Sequence, residues 1–101
     1  MVWPITRDDV AAQLGTPVRE ADVAALDRAT AAAVDYVEAH VAPPHGTASI
    51  ALGTCLLAAR WFARRGSPGG FASFGEFGPA YVRTTDPDVA RLLGLDRPVI
   101  G

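Results

Sequence analysis

Ile50, Leu52, Leu56, Leu57, Ala59 and Phe62, with Ala58 and Trp61 beside them, place apolar side chains over more than half the circumference of any helix they form. A helix of that kind cannot lie on a surface and must be packed around by the rest of the chain. Thr47 or Ser49 can cap its start, Gly66 supplies a left-handed stop, and Arg60, Arg64 and Arg65 crowd its last turns, where positive charge offsets the helix dipole. The expected central helix therefore spans residues 47–65.

The remaining segments have to supply its surroundings. Thr6 followed by Asp9 resembles a capping box with Asp in the place of Glu, and Gly15 is a stop, so a first helix is predicted over 7–14. Its apolar edge, Val10 and Leu14, is stable only when docked on a larger body. Val23, Leu26, Thr30, Val34, Val37 and Val41 recur at threes and fours and predict a second helix over 20–41. The alanines between them favour helix and permit close approach of a neighbour. Pro43 and Pro44 end it. Asp86, Pro87 and Asp88 form a strong start signal, with an acidic cap, Pro in the first helical position and a second acid in the first turn. They predict a short helix over 87–93 stopped by Gly94.

Between the last two helices lies GSPGGFASFGEFGP, too rich in Gly and Pro for a helix yet carrying Phe71, Phe74 and Phe77. It is followed by Ala80 to Thr85, including Tyr81, which reads as a short strand, so residues 66–85 are expected to form a Gly-rich loop or an irregular β-hairpin. Residues 95–101 read as an extended tail exposing Val99 and Ile100. The fold class is therefore mainly α: one domain over 1–101, with three helices, a Gly-rich loop or hairpin, a short C-terminal helix and a tail.

Chemistry is sparse along this chain. His40 and His45 lie five apart across the proline break, which is not the i, i+4 pair a helix offers to a metal, and they read as a polar helix end and a loop residue. The single Cys55 cannot form an internal disulfide and reads as core. Asp8 and Asp9 read as first-turn carboxylates rather than an acid/base pair. The glycines after Gly66 follow a helix instead of preceding one and lack a Gly-Lys-Ser/Thr ending, so they do not read as a phosphate cradle. No catalytic, cofactor or metal site is expected. A net charge of −2, with all nine basic residues Arg, argues against gripping nucleic acid through phosphates. A helix-turn-helix DNA reader would need base-reading polar residues that the central helix does not spare. No apolar run approaches the roughly 20 residues of a membrane span, and MVWPITRDD has no basic-then-apolar signal pattern, which predicts a protein made in the cytoplasm.

What is left over is adhesive: Phe71, Phe74, Phe77 and Tyr81, the Ala-rich second helix, Trp3, and Val99 with Ile100. The three Phe residues can fold back as a lid on their own core or meet another molecule. A spacing of three sends them to both faces of a strand, which favours a partner.

Four stretches also carry a likeness of order and local wording. They are Ile5-Thr6-Arg7-Asp8-Asp9-Val10 through Leu14-Gly15, Leu57 to Gly70 (LAARWFARRGSPGG), Phe74-Gly75-Glu76-Phe77-Gly78, and Asp86-Pro87-Asp88-Val89-Ala90-Arg91-Leu92-Leu93-Gly94. Together they span nearly the whole chain, and in them it resembles the small head-to-tail connector, or adaptor, proteins of long-tailed bacteriophages, particularly those of actinobacteria. None of these motifs is a chemical fingerprint. The resemblance implies a virion protein of the neck that forms a dodecameric ring below the portal protein. It implies contact with neighbouring copies, with the portal and with the next neck or tail-completion protein, while double-stranded DNA passes through the channel without specific binding. On that likeness the interface residues would be Phe71, Phe74, Phe77, Tyr81, Val99 and Ile100. The rival expectation is a small helical interaction subunit of a bacterial complex.

Overall fold

The computed structural model describes residues 2–64 and 86–95, and these form four α-helices. They are α1 (Arg7–Leu14), α2 (Val23–His40), α3 (Ala48–Ala63) and α4 (Pro87–Leu93), with a single 3₁₀ turn at Glu20–Asp22 ahead of α2. The chain is mainly helical, as the periodicity requires, and α3 is the element on which α1, α2 and α4 all pack.

The local signals act where the sequence puts them. Thr6 and Asp9 form the reciprocal capping box: the Asp9 amide donates to Thr6 Oγ1 at 3.3 Å and the Thr6 amide donates to Asp9 Oδ2 at 2.9 Å. Thr47, not Ser49, caps α3 by accepting from the Ile50 amide. Gly15 ends α1 with φ 72°, a left-handed turn open to Gly without cost.

Several boundaries and roles differ from the sequence expectation. The second helix is shorter than 20–41, because its first turn is wound as a 3₁₀ turn and Val41 has already turned extended. The central helix ends at Ala63, short of residue 65. The tail begins later than residue 95: Leu95 is buried, and its amide donates to Ala90 O at 2.8 Å while Gly94 donates to Arg91 O at 3.2 Å. That pair of bonds is the Schellman closure, which folds Leu95 back onto the helix it follows.

The buried stripe of α2 holds Leu26, Thr30, Val37 and Val41 of the expected set and is wider than expected: Ala29, Ala33 and Tyr36 are also inside, whereas Val23 and Val34 sit at the margin. Small residues decide this. Ala29 and Ala33 let α2 approach α3 closely, and Tyr36 reaches the core, meeting the Trp61 ring edge-on at 5.6 Å. The two buried threonines bond within their own helices, Thr30 Oγ1 to Leu26 O at 2.8 Å and Thr54 Oγ1 to Ile50 O at 2.7 Å.

Trp3 is not the free aromatic the sequence suggests. Its ring lies 5.3 Å from that of His45, and Nε1 donates weakly to Glu38 at 3.4 Å, so it ties the start of the chain to the end of α2. His45 in turn bonds Val41 O through Nε2 at 2.7 Å.

Candidate interaction site

α4 runs antiparallel to α3. Near its C-terminal end Leu92 O accepts from Ser49 Oγ at 2.7 Å, and at its N-terminal end Asp88 meets Arg60. Midway lies Gly53, fully inside the contact. A Cβ there would stand 2.9 Å from Leu93 Cδ2 and 3.0 Å from Leu92 Cβ, closer than carbon atoms tolerate, so the hydrogen on Gly53 is what lets α4 settle. Val89, Ala90 and Leu93 are buried by that docking.

The N-terminal end of α4 is held by charge. Arg60 grips Asp88 with two parallel bonds, Nη1 to Oδ1 at 2.6 Å and Nη2 to Oδ2 at 2.5 Å, the fork geometry that makes guanidinium–carboxylate pairs strong. Asp86 is only 3 % exposed, and its Oδ1 accepts from Arg60 Nη1 at 3.2 Å and Arg64 Nη2 at 3.0 Å. The hydrogen bond from Arg60 draws the Asp88 carboxyl down to about 2. The same bond to Asp88 pushes the Arg60 guanidinium, already a strong base, further up.

This clasp corrects two sequence expectations. Asp86 makes no side-chain capping bond to α4, because its carboxylate is turned to the arginines. Arg60 and Arg64 do not serve the dipole alone but bridge two helices. The signal was present in the sequence as two Arg at i, i+4 closing one helix and two Asp at i, i+2 opening the next. Only the antiparallel pairing of those helices brings them together.

The clasp also fixes where the intervening chain leaves and returns. Arg64 and Asp86, the residues flanking 65–85, touch at 3.0 Å. Phe71, Phe74, Phe77 and Tyr81 lie in that stretch and Val99 and Ile100 in 96–101, all six outside the described residues. The expected loop or hairpin over 66–85 lies there too.

Elsewhere the polar groups are occupied structurally. Cys55 is buried at 1 % exposure, and its thiol is pushed up to about 11, first by burial and then by the charge of Asp9, so it stays protonated at neutral pH. His40 is exposed, and its ring lies 4.6 Å from that of Tyr36 at a tilt, separately from His45. Among the described residues no cluster of three His, Cys, Asp or Glu side chains is placed to hold a metal ion, and no helix is long and apolar enough to cross a membrane. The open side of α3 carries Ala48, Leu52, Leu56, Ala59 and Ala63, which offer nothing to a base edge. No family model, curated protein or solved structure matches this chain.

Proposed function

We propose that this chain is a structural protein of the bacteriophage neck, a head-to-tail adaptor. Copies form a ring below the portal that extends the DNA channel and docks the next neck or tail-completion protein. One observation carries the reading from the structural side: the stretch holding Phe71, Phe74, Phe77 and Tyr81 leaves and re-enters the bundle at one charge-clamped point. A helical body with a fixed stem is suited to present an aromatic segment to a neighbouring copy or to the portal. The sequence likeness to connector proteins supplies the identity of those partners. An acidic chain with a net charge of −2 suits a conduit through which DNA phosphates must pass without sticking.

Quantitative mass spectrometry of purified, DNA-filled virions tests this directly. The expected result is a single ring's worth of copies per particle, about a dozen for a closed cyclic assembly of this kind. Absence of the chain from intact virions refutes the reading and leaves an interaction subunit of a cellular complex in its place.

A further inference from the structure

Among the described residues, the strong contacts of α4 are with the α3 segment. Its N-terminal acids are held by Arg60 and Arg64, its middle settles over Gly53, and its last turn is pinned by Ser49. It packs on α3 far more than on α1 or α2. α4 is thus a plug and α3 its main socket among the described residues, and they are joined through residues 65–85.

We propose that α4 is exchangeable between copies, so that the α4 of one chain can dock in the α3 socket of another and link neighbouring subunits. The contacts made across copies are the same as those made within one, so the exchange costs no new interface. The balance is set by concentration. The α4 of the same chain is covalently attached and competes at a fixed advantage, so dilute chains close on themselves. Exchange takes over at high protein concentration. The proposal rests on the α3–α4 contact alone and stands whether or not the chain is found in virions.

Complementary charge reversal tests it. One variant carries Arg60→Glu and Arg64→Glu, the other Asp86→Lys and Asp88→Lys. Neither can close its own clasp, but in a mixture each α4 fits the socket of the other. The expected result is that each variant alone is monomeric by native mass spectrometry and the equimolar mixture forms a species of doubled mass with one chain of each kind. A mixture that stays monomeric, while a single chain bearing all four changes regains the parental melting temperature, overturns the proposal. A second protein keeps the test decisive if those variants fold poorly. Replacing residues 65–85 by four EAAAK repeats holds α4 about 30 Å from its own socket if the spacer is helical. That protein is expected to be a dimer with α4 protected from hydrogen exchange, and a monomer with α4 unprotected refutes exchange.

Discussion

Gly53→Ala sets two effects of known size against each other. In the interior of a helix, Ala is favoured over Gly by about 1 kcal/mol, so at an open position the change would stabilise. At this position the new methyl would stand 2.9, 3.0 and 3.1 Å from Leu93 Cδ2, Leu92 Cβ and Leu93 Cγ. The Leu93 tip can turn only within a buried site, and Leu92 Cβ is fixed to the backbone, so α4 has to retreat by about half an ångström to restore ordinary carbon separations. Overpacking of this kind costs roughly 1–3 kcal/mol. Retreat also loosens Val89 and Leu93 from the core and stretches the bonds to Arg60, which places the cost toward the upper part of that range. The expected net loss is therefore about 1–2 kcal/mol, which in a domain of this size lowers Tm by about 4 °C or more. Urea unfolding followed by circular dichroism measures it, with the midpoint falling at unchanged slope. Adding Leu93→Ala opens space for the methyl, so the double variant should lose less than the sum of the two single losses. A Gly53→Ala protein more stable than the parent would show that the notch is not tight and that α4 does not depend on it.

Three further outcomes are expected. Asp88 titrates at about 2 in the folded chain against an ordinary 3.8, so its contribution is present above about pH 4 and is lost as pH falls toward 2; Asp88→Asn should flatten that part of a Tm-against-pH curve, and an unchanged acid limb would refute the pairing. Cys55 should react with a thiol reagent at pH 8 far more slowly in the native chain than in urea, and equal rates would contradict its burial and its raised thiol, about 11. Replacing Phe71, Phe74 and Phe77 together by Ser should leave the helical circular dichroism nearly intact and abolish assembly, whereas unfolding of that variant would make the three residues core.

What could be read from the sequence was what is local. α1 and α4 start and stop at the predicted residues because capping box, Pro and Gly act within a turn of themselves. The centrality of α3 was legible because an apolar circumference leaves a helix no other place. The orientation of α2 was legible in part: Leu26, Thr30, Val37 and Val41 are buried as expected, while the small Ala29 and Ala33 carry too little weight in a periodicity argument to show that they are inside too. Tyr36 was passed over as well. The clasp escaped because Arg60 and Asp88 are brought together by tertiary pairing, not by spacing along one helix. Their charges had satisfactory local explanations that turned out to be incomplete. Of the candidate site, the stem is described and the aromatic residues it carries are not.

The touching pair Arg64 and Asp86 has a consequence for how such a protein can change over generations. Because the bundle closes on itself at that point, the two ends of the stretch between are held together whatever its length. Doubling the length of a closed segment costs only about 0.6 kcal/mol in closure entropy. A change in the number of residues between 65 and 85 thus costs the Arg64–Asp86 contact little closure entropy, while a change at Arg60, Gly53 or Asp86 acts on the helix contact itself. Over generations, length can therefore vary at this point of the chain more readily than the identity of the residues that close it.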